Sequence, residues 1–345
     1  MTSPAAGAPG EASGPDPRGW AWPRILRWAG LAVAAVAGVY FLIHLSEQWQ
    51  DLPDSLLSAR TALWAGPLLA VYFASTLAGG FAWHRLLLAT GEDSRLARIL
   101  AIWFLTHVAK YVPGNVAQHM SRAGLAHAAG YRMAPVLMTL AIEAGLLVAV
   151  AGLLAALVLI AQGPAWLAGT PAEGMGWPIL LAGVGAVAVG VTALPWLWHR
   201  LPMLRHRLSP GGSFRFPKAR VLLLCALIYA ANFLAIGLCL DLLALQVFAA
   251  GQSHLAWLTG VFALAWVLGF LVPGAPGGLG VREAVLLAAL GPLYGAATAV
   301  GLAVTLRVIT TFGDGVLSLA GWALYSRQRR QTAALAGQAG KENRT

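Results

Sequence analysis

The chain has 345 residues, of which 59% are hydrophobic and 10% charged, and its formal net charge is +10. A soluble domain carries about 25% charged residues, which excludes a water-soluble enzyme and a soluble basic nucleic-acid-binding domain. The basic residues sit in short stretches beside long apolar runs, the pattern of a membrane protein whose positive loops face the cytoplasm.

Residues 1–24 carry Pro4, Pro9, Pro15 and Pro17 among Gly, Ala and Ser, and are expected to form a disordered cytoplasmic end. The apolar run after Arg18, Arg24 and Arg27 lacks the short core and small-residue cleavage site of a signal peptide, so it reads as a retained first span. Six runs reach the ~20 apolar residues a crossing needs. They are 29–45, 63–84, 134–161, 177–198, 221–250 and 296–325. Two further apolar regions, 96–131 and 254–293, are each interrupted near the middle by Pro and Gly. One transmembrane domain over 25–325 and a basic cytoplasmic tail over 326–345 complete the layout.

Lys and Arg alternate along this order. Arg85, Arg95 and Arg98 follow the second span, and Arg200, Arg205, Arg207, Arg215, Lys218 and Arg220 fill the loop 199–220. Arg327, Arg329, Arg330, Lys341 and Arg344 mark the tail, whereas 46–62 holds only Arg60 and 162–176 holds none. This predicts both ends in the cytoplasm. It also requires each broken region to return to the side it left. A re-entrant hairpin does so, as does a pair of full crossings; the short first arm of 96–131 favours the hairpin. Trp20, Trp22, Trp28, Trp49, Trp166, Trp177, Trp196 and Trp198 fall near expected span ends, as an interfacial belt does. Cys225 and Cys239 share one expected helix roughly 21 Å apart, too far to pair with each other.

The two breaks match. One reads Val112-Pro113-Gly114 and the other Val272-Pro273-Gly274, each with an arginine nine residues after the proline, Arg122 and Arg282. The charge alternation puts their entrances on opposite sides, which suggests an inverted repeat. In the second, two prolines and four glycines in eight residues, Pro273 to Gly280, rule out a regular helix. Non-helical chain at membrane depth must line a cavity or be buried in protein. A helix restarting near Val281 would aim free amides and its positive end at the break, and Arg282 adds a formal charge, together a site for phosphate or carboxylate. The competing reading is a packing turn with Arg282 reaching for an interface.

In the first break, Asn115 is a candidate N-cap, and Lys110 and Arg122 flank it with positive charge. His107 and His119 lie near without a carboxylate or Cys at metal-ligand spacing, so a polar lining is read there and no metal or other cofactor is expected. Glu143, Arg307 and Asp314 lie inside expected spans, where a charge costs roughly 2.5–3.5 kcal/mol on insertion scales. Arg307 and Asp314 are seven apart and share a helix face. Glu143 can balance a hairpin cation or hold a proton, Glu283 can hold Arg282 in place, and Asp241 lies nearer an interface. No phosphate loop, nucleophile elbow or HExxH occurs. Glu47, Asp51 and Asp54 form an acidic outer loop of the kind membrane glycosyltransferases use.

Lys110-Tyr111-Val112-Pro113-Gly114-Asn115 with Arg122, and Pro276-Gly277-Gly278-Leu279-Gly280-Val281-Arg282-Glu283, resemble the two hallmark segments of the transmembrane region of lysylphosphatidylglycerol synthases and its stand-alone flippase-like relatives. Glu143 resembles that family's acidic residue in the following span, with Ala144 where a basic residue is common, and Arg307 resembles its arginine in the last span. The resemblance, over roughly 30–325, implies an all-α polytopic protein with two re-entrant hairpins from opposite faces that moves lipids between leaflets.

The soluble catalytic domain that follows in the synthases is not expected here, so the expectation is a transporter of a phospholipid or polyprenyl or glyco-lipid, not an enzyme. Lys110, Arg122, Arg282 and Arg307 would contact phosphate, and Gly277, Gly278 and Gly280 would let amides approach it. Pro113, Gly114, Pro273, Gly274 and Pro276 would form the hinges. Phosphate-bearing membrane lipids are the expected partners, together with a separate lipid-modifying enzyme, in a bacterial inner membrane. The alternatives are a glycosyltransferase using a polyprenyl-phosphate donor and a lipid-presenting scaffold.

Overall fold

A computed structural model describes residues 59–112, 117–161, 215–272 and 275–342, with isolated positions at 39, 42, 43 and 46. The expected spans 29–45 (but for those isolated positions) and 177–198, the tryptophans named above and the loop carrying Glu47, Asp51 and Asp54 lie outside these residues. Among the described residues there is no β-strand. The helices are α1 (Ala59–Ala89), α2 (Leu96–Leu105), α3 (Ala117–Ala128), α4 (Met133–Ala161), α5 (Ala219–Leu242), α6 (Leu255–Leu271), α7 (Val281–Tyr294) and α8 (Ala296–Glu342). Short turns of tighter helix lie at His107–Tyr111 and Pro276–Gly278, and a wider turn at Leu243–Val247 extends α5.

Among the described residues, four helices are long and apolar enough to cross a membrane: Ala59–Ala89, Met133–Val158, Ala219–Val247 and Ala296–Gln331. They coincide with four of the six expected spans. Both interrupted regions are pairs of shorter helices, with 10 and 12 residues in the first and 17 and 14 in the second. Each is below the ~20 residues of a comfortable crossing.

The neighbours of α1 fix the directions. Cys225 Sγ faces the carbonyl of Ala82 at 3.5 Å, and Cys239 Sγ faces that of Leu68 at 3.9 Å. Helices α1 and α5 are therefore antiparallel, and the Arg215 N–H donates to Thr90 at the end where α1 finishes (3.3 Å). Both thiols are free and buried, as their separation along one helix requires.

Each broken region is fastened at its base. Arg132, just after α3, bonds through Nε to Glu92, just before α2, at 2.5 Å, and its N–H also donates to that carboxylate. His254, before α6, packs edge-on against Tyr294 at the end of α7, with ring centroids 5.8 Å apart. Asp241 secures that second base by accepting from Ser253 Oγ at 2.6 Å and the His254 N–H at 2.8 Å. The first base lies where α1 ends and the second where α5 ends. Because those helices are antiparallel, the two bases lie at opposite ends of the α1–α5 pair.

Local chemistry explains where the arms stop. Thr106 Oγ1 donates back to the carbonyls of Ile102 and Trp103 at 2.9 and 3.1 Å, closing α2. Gly277, Gly278 and Gly280 have φ of +57°, +71° and +80°, left-handed values that any side chain would strain. The helix restarts at Val281, as the sequence predicts, with the Gly280 N–H donating to Glu283 Oε2 at 2.8 Å.

Helix α8 is the rail along which the first arm lies. Gln328 Nε2 donates to Ala97 O at 3.1 Å, Ser318 Oγ to Phe104 O at 3.1 Å, and the Val108 N–H to Ser318 Oγ at 3.2 Å. Gly321 permits this approach: a Cβ there would stand 2.9 Å from Leu105 Cα and the Phe104 carbonyl carbon. Gly321→Val is therefore expected to cost about 1–3 kcal/mol by overpacking, while Gly315→Ala, with open space at its Cβ, leaves stability unchanged or raises it. Unfolding of the purified variants in detergent checks both.

Candidate functional site

The tips of the two broken regions meet. A Cβ on Gly277 would lie 3.5 Å from the Tyr111 ring, and 3.5 Å from Arg307 Nη2. Around this meeting point is a cavity of about 260 Å³. It faces Tyr72, Thr76 and Gly79 of α1 and Asn232, Phe233 and Ile236 of α5, residues from the middle of each span. Of the residues predicted for the site, Lys110, Arg122, Glu143, Gly277, Gly278, Arg282, Glu283 and Arg307 line it. Asn115, Pro113, Gly114, Pro273 and Gly274 lie outside the described residues, and Pro276 opens the turn that carries Gly277.

Three of the four predicted phosphate contacts are engaged inside the protein. Arg122 Nη1 lies 2.9 Å from both oxygens of Glu143, and the two residues are 1% and 2% exposed. Its guanidinium packs 4.0 Å from the Trp103 ring and 5.3 Å from that of Trp83, so the charge rests against two aromatic rings. Lys110 Nζ lies 2.6 Å from Asp314 Oδ2. Arg307 faces Glu283 at 3.5 Å and donates from Nη1 to the Gly277 carbonyl at 3.3 Å.

Arg282 differs. Among the described residues it has no ion pair, and its Nε is buried without a hydrogen-bond partner. Its guanidinium stands 5.8 Å from the Trp266 ring. The side chain threads between two glycines: a Cβ on Gly269 would lie 2.8 Å from Arg282 Cγ, and one on Gly278 would lie 2.6 Å from its Nε.

These contacts revise two expectations. Glu283 bonds to the Gly280 amide and faces Arg307; it does not hold Arg282. The amides of Gly278 and Gly280 are not held out for a ligand, since the first donates to Ala275 O at 3.0 Å and the second to Glu283. Their glycines supply left-handed backbone, and Gly278 also gives room for Arg282. Asp314, expected inside a span but not among the substrate contacts, is 0% exposed and accepts from Tyr72 at 2.5 Å and Tyr111 at 2.7 Å besides Lys110. Its place on the Arg307 face was legible. Tyr72, Trp83, Trp103 and Trp266 carry no signal that separates them from ordinary apolar lining.

His107 Nδ1 bonds to the Trp103 carbonyl at 2.9 Å, and His119 meets Phe270 edge-on. Among the described residues no three His, Cys, Asp or Glu side chains gather as a metal site requires.

The sequence model of the family described as lysylphosphatidylglycerol synthase TM region matches residues 27–318. The chain belongs to that family. The match spans both broken regions, the cavity, three of the four described crossing helices and the first part of the last, and marks a multi-pass membrane protein with a lipid-related role. No curated protein matches the chain.

The Arg122–Glu143 pair makes a sharp prediction. Removing one partner of a buried ion pair costs about 3–5 kcal/mol, while replacing both by apolar groups is often neutral. Arg122→Met is expected to destabilise the protein by that amount, and Arg122→Met with Glu143→Met to recover most of it. Denaturant unfolding in detergent reads both.

Proposed function

We propose that this protein moves a lipid with a phosphate-bearing headgroup between the leaflets of the bilayer, acting as a transporter and not as a synthase. The observation that carries this reading is the meeting of two interrupted segments, based at opposite ends of an antiparallel helix pair, around one buried charged cavity. In the reading, both segments are re-entrant hairpins of an inverted repeat, both chain ends are cytoplasmic, and the membrane is a bacterial inner membrane. The short arms and the fastened bases support the hairpins. A segment whose first and last residues touch returns to its starting level, and arms of 10 and 12 residues span roughly 15–18 Å.

The headgroup enters the cavity while the acyl chains remain in lipid. Arg282 contacts phosphate. Lys110, Arg122 and Arg307 hold the walls through their own carboxylates, a narrower role than direct contact. Lipid-facing helix surfaces close the sides. No nucleotide is consumed in this scheme, so movement is downhill or coupled to an ion.

In liposomes with labelled lipids, wild-type protein is expected to exchange a phosphate-bearing lipid between leaflets. Arg282→Ala is expected to slow that exchange roughly tenfold or more, the loss of a charge-assisted bond worth about 1.5–3 kcal/mol. Equal exchange by both proteins, or none by either across zwitterionic, anionic and polyprenyl lipids, contradicts the reading. A scaffold that only presents lipid would bind it and leave its leaflet unchanged.

A further inference from the structure

Asp314 is a charge that the transport reading leaves without a task. It stands at the middle of the span Ala296–Gln331, is 0% exposed, and takes bonds from Tyr72, Lys110 and Tyr111. An ionisable group at that depth is costly, and membrane proteins that keep one commonly use it to carry ions or protons.

The two enclosed ion pairs beside the cavity are built differently. In the Arg122–Glu143 pair both side chains are shut in, 2% and 3% exposed, and the guanidinium also rests against two tryptophan rings. In the Lys110–Asp314 pair the lysine side chain is 25% exposed and the carboxylate 0%. Lys110 belongs to the short turn His107–Tyr111 at the tip of the first break, and Asp314 to the long helix α8. Two of the three donors on Asp314, Lys110 and Tyr111, therefore leave together if that turn parts from α8. Tyr72, on α1, stays.

That parting has an electrostatic consequence. Lys110 and Tyr111 already line the cavity, so the lysine keeps its charge there. Asp314 is left at membrane depth without its cation. A buried carboxylate in that position neutralises itself by taking a proton. The proton adds to one Asp314 oxygen to give the carboxylic acid, and Lys110 retains its own. The route is short, because the Tyr111 hydroxyl borders the cavity and lies 2.7 Å from Asp314 Oδ2.

The other groups around Asp314 are placed for different work. His107 is within electrostatic reach, but its Nδ1 is bonded to the Trp103 carbonyl at 2.9 Å, and a charge on its ring would oppose Lys110. Arg307, two turns back on α8, is engaged with Glu283 and the Gly277 carbonyl, and Arg282 lies beyond it in the second break. On α2 the ionisable side chain is Arg98, bonded to the Ala129 carbonyl at the first base. The acid of α5, Asp241, is held by Ser253 at the second base.

We infer that Asp314 is a proton-binding site whose protonation releases the first tip from α8. As a coupling device it rests on the reading that the cavity moves a ligand, and it gives that movement a coupling ion, the proton. The released form holds one more proton than the held form, so acid favours release. The ratio of released to held molecules then rises by up to about tenfold for each unit that pH falls.

The test uses the full chain in detergent, with spin labels on Val112→Cys at the first tip and Leu227→Cys on α5. Both positions are exposed, whereas Cys225 and Cys239 are buried. The distance between the labels is expected to lengthen as pH falls from about 8 to about 5. A second pair, Leu279→Cys with Leu227→Cys, follows the second tip and is expected to stay constant. In Asp314→Asn, which imitates the protonated acid, the first pair is expected at the longer distance throughout. His107→Gln is expected to respond as wild type does. Infrared spectra should show a carboxylic acid band growing in acid, and Asp314→Asn should lack it.

A first-tip distance indifferent to pH in wild type overturns the proposal. So does a response that survives Asp314→Asn, one that His107→Gln abolishes, or equal movement of both tips. If Asp314→Asn does not fold, Lys110→Met removes the pair from the other side, and a distance that still follows pH in that variant overturns the proposal as well. Lipid exchange in liposomes is judged separately. A tip that follows pH in a protein that exchanges no lipid defeats the transport reading and leaves the proton site standing. Exchange with a tip indifferent to pH does the reverse.

Discussion

Arg307 and Asp314, two turns apart on α8 and opposite in charge, hold the tips of both interrupted segments. Asp314 takes Lys110 and Tyr111 of the first, and Arg307 takes the Gly277 carbonyl and Glu283 of the second. The need for such fastening follows from the solvent. A chain that leaves the helical path in lipid exposes amides and carbonyls that water cannot reach, so the protein must bond them itself. One helix does this for both breaks. That is why the tips meet at a fixed place and enclose a cavity.

The same fastening decides which charges remain for a ligand. Burying a cation in an apolar region is tolerable when a carboxylate and further bonds accompany it. Three of the four cavity cations meet this condition, and Arg122 adds two aromatic faces to it. Such pairs contribute shape more than stability, since well-packed apolar residues often do as well energetically. Their effect is to keep the walls in place and to leave Arg282 as the cation without a partner among the described residues. Its position is set by steric room: Gly269 and Gly278 clear a path that any larger residue would close.

Much of this was legible in the sequence. The Pro and Gly runs announced the breaks, four described spans followed from apolar length, and the seven-residue spacing put Arg307 and Asp314 on one face. The pairing of charges was legible only in part: Glu143 reads as balancing a hairpin cation, and Arg122 is that cation. Glu283 follows Arg282 directly, which invites a local pair, yet adjacent side chains on a helix point about 100° apart and do not meet. Glu283 sits three residues after the cap instead, where its carboxylate returns to the Gly280 amide. That Glu143 takes Arg122 and no other cation does not show locally, because the two are 21 residues apart and the aromatic neighbours of Arg122 lie on α1 and α2. Nothing local marks Trp83 or Trp103 as anything but apolar filling. The glycines of the second break read as openings for amides, and what they supply is left-handed backbone and space for one side chain.

The fastening of the two tips is unequal. Asp314 is fully buried and accepts three short bonds, from Lys110, Tyr72 and Tyr111. Two of these donors belong to the first break and the third, Tyr72, to α1, so releasing that tip strips the buried carboxylate of its cation and leaves it the Tyr72 hydroxyl. Arg307 reaches the second break through longer contacts, 3.3 Å to Gly277 O and 3.5 Å to Glu283, with its side chain 20% exposed. Losing them leaves a guanidinium that water or a phosphate can satisfy, and Glu283 keeps its bond to the Gly280 amide. Releasing the first tip thus separates a lysine from a fully buried carboxylate, and releasing the second frees a partly exposed guanidinium. Arg282 lies on that side, at the start of α7, so the segment held to α8 by the longer contacts also carries the cation that has no ion pair among the described residues.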